Sequence, residues 1–202
     1  MIAIVDYDVG NLKNVYTALG DVGLEGVITR DKKVLDNAQA IILPGVGAFS
    51  DAMENLRKYD LIDSLDANIK KGKPLLGICL GMQLLFDKSY EDGEFKGLSY
   101  IPGEIVKFSA PGLKIPHMGW NNLIINRDSP LVHNIGPEDY VYFVHSYYAV
   151  PENFDDVIAY AEYSVKVPGI VKRDNVIGMQ FHPEKSSTVG LQLLRNFKEI
   201  LS

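Results

Sequence analysis

The chain has 202 residues, of which 47% are hydrophobic and 23% are charged, and its formal net charge is −6. This is the composition of an ordinary globular protein, and the length favours one sizeable core, so we predict a single domain over residues 1–202. The acidic balance argues against a dedicated nucleic-acid-binding protein, because such proteins usually carry a basic stripe.

The opening segment and the cysteine count bear on the cellular compartment. The segment MIAIVDYDVG is a short apolar run followed by two aspartates, without the basic flank and cleavage site of a signal peptide. It is too short to span a bilayer. The single cysteine, Cys79, cannot form a disulfide within the chain. We therefore expect a soluble, cytoplasmic protein with no membrane partner.

The first half of the chain predicts alternating strands and helices. Short branched apolar runs predict buried strands, and apolar residues at helical spacing, such as Leu12, Val15 and Leu19, predict amphipathic helices. The predicted strands cover residues 2–7, 26–30, 40–45 and 75–79, and the predicted helices cover residues 11–22, 50–71 and 80–88. This alternation is typical of a mostly parallel sheet with helices on both faces.

The second half predicts a different arrangement. After residue 95, turn-forming residues separate the strand-like runs GLSYIPGEIVKF, NNLIIN, YVYFVHSYYAV, DVIAYAEY, GIVKR and VIGMQF. Several runs lie too close together for crossover helices, so part of this half is predicted to be antiparallel. A helix over residues 187–201 closes the chain. The predicted fold class is α/β, doubly wound and mostly parallel, with an antiparallel portion in the second half.

Cys79 lies in the sequence Gly77-Ile78-Cys79-Leu80-Gly81, a G-x-C-x-G pattern. In the related serine pattern the nucleophile occupies a sharp turn between a strand and a helix, and the glycines avoid clashes around it. The sulfur is therefore expected at the carboxyl edge of the sheet and at a helix N-terminus, where a thiolate is favoured. On this pentapeptide alone, a buried structural cysteine is an equal alternative.

A thiol nucleophile requires a base, and the chain has four histidines. His182 is the best candidate, because in the extended sequence His-Pro-Glu the carboxylate of Glu184 shares its face and can orient it. Taken alone, this motif also fits a surface loop with solvated side chains. His145 is the rival base but has no acid nearby in sequence. His133 is expected to face solvent, and His117 to lie in a recognition loop, PHMGWNN.

The segment PGVGAF after the third predicted strand offers backbone N–H groups for an oxyanion hole. Parallel topology can bring Gly45 and Val46 beside Cys79, and the N–H of Leu80 is a second donor. The competing interpretation is dinucleotide binding, because Gly45-Val46-Gly47 begins a G-x-G-x-x-G fingerprint. However, its last glycine position is a serine, and it follows the third strand. With no zinc-ligand spacing in the sequence, no metal is predicted.

Three motifs, PGVG, GICLGMQ and the late FHPE, resemble the class I, triad-type glutamine amidotransferases in their order and separation. Within that family the chain is similar nearly end to end to the glutaminases that work with the imidazole glycerol phosphate cyclase. This similarity rests on DYDVGNLKNV, LPGVGAF, GICLGMQLLF, GLSYIPGEIVKF, IPHMGWNNL, YFVHSYYA and GMQFHPEKS. One departure is Asp8, where the family often has glycine, and it is expected to affect only a loop that faces a partner.

The resemblance implies a glutaminase with a Cys-His-Glu triad and no cofactor. In this mechanism Cys79 attacks the side-chain amide of glutamine, His182 protonates the leaving ammonia and later activates water, and Glu184 orients His182. The backbone N–H groups implied for the oxyanion hole are those of Gly45, Val46 and Leu80. The residues implied to hold glutamine are Gly47, Gln83, Ser146 and Tyr147. A solvated helix position is the alternative for Gln83, and Gln180 is expected to bond locally within a strand.

The resemblance also implies a heterodimer with a (β/α)8-barrel cyclase, which receives ammonia through a tunnel. The cyclase makes imidazole glycerol phosphate and aminoimidazole carboxamide ribonucleotide (AICAR) in histidine biosynthesis. The residues expected to face it are Asn11, Asn14, Met118, Trp120, Asn121 and Lys185. Trp120 is favoured as the anchor over a core position. Two alternatives stay open: a glutaminase of another synthase, of anthranilate- or pyridoxal-phosphate-synthase type, or a non-enzymatic, doubly wound binding module.

Overall fold

The computed structural model describes residues 1–109, 112 and 114–201. The strands are β1 Ile2–Val5, β2 Gly26–Thr29, β3 Ala40–Gly45, β4 Leu75–Cys79, β5 Phe86–Ser89, β6 Phe95–Lys96, β7 Ile101–Lys107, β8 His117–Asn122, β9 Ile124–Ile125, β10 Tyr140–His145, β11 Tyr147–Pro151, β12 Val157–Glu162, β13 Lys166–Arg173 and β14 Val176–Met179. The helices are α1 Leu12–Asp21, α2 Lys32–Asn37, α3 Phe49–Lys58, α4 Ile62–Lys70, α5 Leu80–Gln83 and α6 Ser187–Ile200. Three short 3-10 turns cover Pro130–Val132, Phe154–Asp156 and Pro183–Lys185.

The central sheet has eight strands in the order β2-β1-β3-β4-β14-β13-β12-β9. The first five strands pair in parallel, and the last three continue the sheet with antiparallel pairs. The carboxyl ends of the parallel strands therefore meet at one edge of the sheet. The prediction of a mostly parallel α/β fold with an antiparallel portion in the second half is confirmed.

The two faces of this sheet bury two separate apolar clusters. Ile2 and Ile4 of β1 pack with residues of α1 and α6, whereas Ala3 and Val5 pack with residues of α3 and α4. Successive residues of a strand point to opposite faces, so a strand covered on both sides must be apolar throughout. This explains why the runs IAIV, AIIL and LLGIC show no polar alternation.

Two smaller sheets lie outside the central one. Strands β8 and β10 form an antiparallel pair, and β11, β7, β5 and β6 form a four-stranded sheet. The run YVYFVHSYYAV, predicted as one strand-like unit, divides at Ser146 into β10 and β11, which belong to different sheets. His117 is the first residue of β8, so its assignment to a loop was wrong: strand pairing with β10 begins before the NNLIIN run.

Two predicted helices also need correction. The helix predicted over residues 50–71 is the pair α3 and α4, because Asp60 adopts a left-handed φ of +55° between them, which helix cannot continue through. The helix predicted over residues 80–88 ends after one turn at α5 and is followed by β5. Leu84, Leu85 and Phe86 are buried on all sides, and such a short apolar run does not distinguish helix from strand.

Other boundaries agree more closely with the sequence. The predicted first helix is α1, capped by the side chain of Asn11, which accepts a hydrogen bond from the backbone N–H of Asn14 at 3.3 Å. The closing helix is α6. The short helix α2 was not predicted. Every helix within the described part of the chain is too short or too polar to span a bilayer.

Candidate active site

Cys79 ends β4 and enters α5 at a sharply bent backbone, with φ +55° and ψ −113°. A side chain at Gly81 would place a Cβ 1.8 Å from the carbonyl oxygen of Leu43, and one at Gly77 would lie 2.6 Å from the carbonyl oxygen of Gly81. Both flanking glycines are therefore required by backbone contacts. A non-glycine residue at positive φ costs about 1–3 kcal/mol, and the strained turn holds Cys79 at the carboxyl edge of the sheet. Because α5 has only four residues, its dipole contributes less than a full helix would.

His182 and Glu184 form a buried pair next to this turn. Nδ1 of His182 lies 2.7 Å from Oε1 of Glu184, and both side chains are only 3% exposed. Because a carboxylate only accepts, Nδ1 is the donor. Nε2 of His182 is buried and makes no hydrogen bond within the described residues. Burial alone lowers the pKa of His182, but its interactions with Cys79 and Glu184 outweigh burial and raise that pKa to about 9.

A cavity of about 330 Å³ opens at this edge of the sheet. Its lining brings together most of the residues that the sequence singled out, namely Cys79, His182, Val46, Gly47, Leu80, Gln83, Ser146 and Tyr147. Glu184 lies behind His182 and does not line it. Glu91, Pro116, Val144 and His145 also line the cavity. They belong to the small sheets and their connections, whose packing no local pattern predicts.

The loop after β3 is adjacent to Cys79. Gly45 is the cross-strand partner of Cys79 in the parallel pair β3–β4, and Gly47 has a φ of +99° with open space around it. A Cβ on Gly45 would lie 2.9 Å from the backbone nitrogen of Gly81 and from the hydroxyl oxygen of Tyr7. Gly45 therefore lets the loop pass close to the backbone of the Cys79 turn, and Gly47 lets the loop adopt a positive φ.

Tyr7 supports this loop from below and was not singled out by the sequence. It is fully buried, and its hydroxyl donates a 2.5 Å hydrogen bond to the carbonyl oxygen of Pro44. Its burial and the nearby Cys79 raise its pKa above the ordinary tyrosine range. A tyrosine at the end of a predicted strand carries no signal that it will reach the loop of another strand.

Gln83 is buried, so the solvated alternative for this position was wrong. Its side-chain nitrogen donates to the carbonyl oxygen of Tyr147 at 3.0 Å and to Oε1 of Gln180 at 3.1 Å. Gln180 itself follows β14 and is fully buried. Its bond to Gln83 spans 97 residues of sequence, so the expectation that it bonds locally within a strand was also wrong.

His145 lines the cavity, but both of its ring nitrogens are engaged. Nδ1 lies 2.7 Å from the carbonyl oxygen of Tyr147, and Nε2 lies 3.0 Å from Nδ1 of His117. Burial lowers the pKa of His145 to about 3 and that of His117 to about 4. His145 is therefore a poor base compared with His182, and His133 is exposed as expected.

The residues expected to face a partner differ in how exposed they are. Met118 and Trp120 project from one face of β8 and are 55% and 53% exposed, so the core alternative for Trp120 was wrong. Asn11, Asn14 and Lys185 are also exposed, but Asn121 is half-buried and bonds within the chain.

Asp8 lies in the loop after β1 and adopts a left-handed φ of +63°. That conformation is one that glycine takes without strain, which explains physically why glycine is acceptable at this position. The side chain of Asp8 accepts hydrogen bonds from the Tyr59 hydroxyl and, at 2.8 Å, from the Arg30 guanidinium. These bonds lower the pKa of Asp8.

The described residues contain no group of three or more His, Cys, Asp or Glu side chains that could hold a metal ion. The cavity brings together the thiol of Cys79, the imidazole of His182 with the Glu184 carboxylate behind it, and the backbone N–H groups around Cys79. That combination is suited to acyl transfer through a covalent thioester.

Known proteins resemble the chain in sequence and in fold. The profile of the family "Glutamine amidotransferase class-I" matches residues 3–200. A protein from Carboxydothermus hydrogenoformans named imidazole glycerol phosphate synthase subunit HisH is 50% identical over 203 residues, covering 100% of both chains. A relative with the same name from Caldanaerobacter subterraneus subsp. tengcongensis is 49% identical over 201 residues, covering 100% of this chain and 98% of its own.

Among solved structures, that of PurLQS from Thermotoga maritima superposes with a TM-score of 0.78 at 21% identity, covering 100% of this chain and 98% of that chain. At this identity the likeness concerns the fold alone. The family profile and the two full-length relatives agree with the geometry around Cys79: this chain belongs to the class I glutamine amidotransferase family.

Proposed function

We propose that the chain hydrolyses glutamine to glutamate and ammonia and passes the ammonia to a cyclase subunit that makes imidazole glycerol phosphate and AICAR. The observation that carries this proposal is that Cys79 lies on a strained turn and shares a cavity with His182. Nδ1 of His182 is hydrogen-bonded to the buried carboxylate of Glu184 at 2.7 Å. A binding module would not require a positive φ at its only cysteine, nor a buried acid paired to a histidine beside it.

In the first half-reaction the Cys79 thiolate attacks the side-chain amide carbon of glutamine. The carbonyl π electrons move to oxygen, and the oxyanion accepts hydrogen bonds from backbone N–H groups of Leu80 and of Gly45 and Val46. Protonated His182 then donates its Nε2 proton to the nitrogen as the carbon–nitrogen bond breaks, which releases ammonia and leaves a glutamyl thioester. A raised pKa keeps His182 protonated at neutral pH, as this step requires.

In the second half-reaction the now neutral His182 removes a proton from water. The resulting hydroxide attacks the thioester carbonyl, and the carbon–sulfur bond breaks to give the thiolate, imidazolium and the γ-carboxylic acid of glutamate, whose proton passes to solvent. The Glu184 carboxylate holds Nδ1–H throughout, so that Nε2 is the atom that exchanges protons. The cycle ends in the protonation state in which it began.

Glutamine is proposed to lie in the cavity against Gly47, Gln83, Ser146 and Tyr147. The cavity volume of about 330 Å³ suits a small amino acid. A free nucleophilic thiol of this kind stays reduced in the cytoplasm, which is the proposed compartment.

The proposed partner is the (β/α)8-barrel cyclase, in a heterodimer. Support comes from the two relatives of about 50% identity, whose name makes them subunits of that synthase. Met118 and Trp120 form an exposed apolar pair of the kind that anchors interfaces. Asn11, Asn14 and Lys185 are the proposed polar contacts, whereas Asn121 contributes only where its amide is not already bonded within the chain.

The experiment compares two histidine variants and one cysteine variant in the complex with the cyclase. We expect Cys79→Ala to abolish glutamate release while cyclase binding is retained, and His182→Asn to lower the rate by about 10²–10⁴-fold. His133→Asn, a matched change at an exposed histidine, is expected to retain the wild-type rate. Glutamate release by Cys79→Ala would overturn the assignment of the nucleophile.

A further inference from the structure

A run of hydrogen bonds connects the interior of β8 to the wall of the cavity. We call the side chains of Asn121, His117 and His145 the histidine chain. Nδ2 of Asn121 lies 3.3 Å from Nε2 of His117, Nδ1 of His117 lies 3.0 Å from Nε2 of His145, and Nδ1 of His145 lies 2.7 Å from the carbonyl oxygen of Tyr147. None of these three side chains belongs to the proposed triad.

Both ends of the histidine chain have fixed polarity. At one end a carbonyl oxygen only accepts, so Nδ1 of His145 carries the proton. At the other end, Oδ1 of Asn121 accepts from the N–H of Asn122 at 2.9 Å, and its Nδ2 donates to the carbonyl oxygen of Glu162 at 3.1 Å. The orientation of the Asn121 amide is thereby set, and Nε2 of His117 must accept.

The direction of every proton in between follows from these ends. Each ring is neutral with the proton on Nδ1, and each Nε2 accepts from the preceding donor. Burial supports the neutral form, because it lowers the pKa values of both rings well below neutrality. The three hydrogen bonds therefore run one way, and none of them can be reversed while both rings stay neutral.

The rings of the histidine chain are also held in place by packing. His117 is stacked between Phe143 and Tyr163, with ring centroids 4.6 Å and 4.0 Å away, and Phe108 packs against His145 at 5.4 Å. His117 and His145 are cross-strand partners in the β8–β10 pair. Neither ring can tip without disturbing this aromatic cluster.

The histidine chain ends on an atom of the proposed glutamine site. The carbonyl oxygen of Tyr147 accepts two hydrogen bonds, one from His145 and one from Nε2 of Gln83 at 3.0 Å. These two bonds fix the main chain at Tyr147 and orient the side chain of Gln83. Both residues line the cavity.

We propose that His117 and His145 are positioning residues for glutamine, which act through the Tyr147 carbonyl as neutral rings in the Nδ1–H tautomer. The proposal rests on the glutaminase function argued above. It predicts that the histidine chain affects how tightly glutamine is held rather than the chemical step, since neither ring reaches Cys79 or His182 through a hydrogen bond. Asn121, at the far end, selects the tautomer.

The first test follows alkylation of Cys79 by the chloroketone analogue of glutamine, in the complex with the cyclase. His145→Leu removes the donor to Tyr147, and we expect the half-saturating concentration to rise about ten-fold, as for a buried hydrogen bond, with the maximal rate within about three-fold. His145→Asn restores a donor near Nδ1 and is expected to recover most of the loss. His133→Asn is the matched control. An unchanged half-saturating concentration in a folded His145→Leu protein would overturn the proposal.

The second test begins with a measurement on the wild-type protein that requires no activity and no variant. In ¹⁵N-labelled wild-type protein at pH 7, long-range ¹H–¹⁵N spectra are expected to show both His117 and His145 as neutral Nδ1–H tautomers. A charged ring or an Nε2–H tautomer at either position would contradict the proposal. Asn121→Asp presents only acceptors to His117, so we expect it to change the tautomer signature and to raise the half-saturating concentration as well.

The two proposals can fail separately. If wild-type Cys79 is not alkylated, or is alkylated at a rate that free glutamine does not lower, the glutaminase function fails, whatever the spectra show. If wild-type Cys79 reacts and glutamine protects it, but the histidine variants behave like wild type, only the positioning role fails.

Discussion

Replacing Glu184 with glutamine tests how much of the raised pKa of His182 comes from a charge. The substitution keeps an oxygen that can accept from Nδ1 of His182 at the observed 2.7 Å but removes the carboxylate charge. Hydrogen bonds to charged groups stabilise by about 1.5–3 kcal/mol and neutral ones by about 0.5–1.5 kcal/mol. The difference, about 1–1.5 kcal/mol, corresponds to a pKa decrease of about one unit.

We therefore expect the pKa of His182 to fall from about 9 but to stay above its ordinary value, because Cys79 still favours the imidazolium. The assay is a pH titration of the His182 ring by NMR, together with the pH dependence of Cys79 alkylation. Glu199→Gln, an exposed change on α6 that also removes one negative charge, is the control. If Glu184→Gln shifts the titration no more than Glu199→Gln does, the carboxylate is not what raises the pKa of His182.

The remaining predictions concern stability and binding. Gly81→Ala forces a Cβ to 1.8 Å from a backbone oxygen of β3 and should cost about 3 kcal/mol or more in unfolding free energy. Gly20→Ala in α1 meets open space and should stabilise the protein by about 0.5–1 kcal/mol. Equal urea unfolding midpoints for the two variants would refute the contact argument. Trp120→Ala should leave the unfolding midpoint of the free chain nearly unchanged and weaken cyclase binding by about 2 kcal/mol or more, and titration calorimetry with unaltered affinity would remove it from the interface. Because burial depresses the folded-state pKa values of His117 and His145 to about 4 and 3, their stabilising contribution is complete above the unfolded pKa of about 6.5 and is lost as pH falls. The raised pKa of His182 offsets part of this effect, which leaves a net loss of about 1–2 kcal/mol in unfolding free energy between pH 7 and 5.5. An unfolding free energy that does not change over this pH range would contradict neutral buried rings.

How far the sequence alone predicts the fold depends on the element. Strands covered on both faces are apolar throughout, so β1, β3 and β4 stand out in the sequence. The helix expected after Cys79 was wrong beyond Gln83, because Leu84, Leu85 and Phe86 are buried whichever backbone they adopt. Hydrogen bonds to the segment 97–101 hold Leu84 and Leu85 in a turn and begin β5 at Phe86, and no local pattern contains these contacts.

The same distinction applies to the candidate site. The turn at Cys79 is local in sequence, so its geometry follows from a short motif. His182 and Glu184 are also near neighbours in sequence and do form a hydrogen-bonded pair, but Pro183–Lys185 is a 3-10 turn, so the extended segment expected there was wrong. Tyr7 and the pairing of His117 with His145 join residues from distant segments. Alternation within YVYFVH indicates that His145 shares a buried face with Phe143, but nothing in the sequence indicates that His117 lies opposite.

The most direct test of the proposed function is glutamate release from glutamine, measured for the chain alone and then with the cyclase subunit and its nucleotide substrate. The account predicts a low rate alone that rises many-fold in the full mixture, and no rate in either mixture for Cys79→Ala. A high rate alone that does not respond to the cyclase would keep the triad but contradict the partner. No rate in the full mixture, from folded protein with a free Cys79 thiol, would contradict the glutaminase function itself.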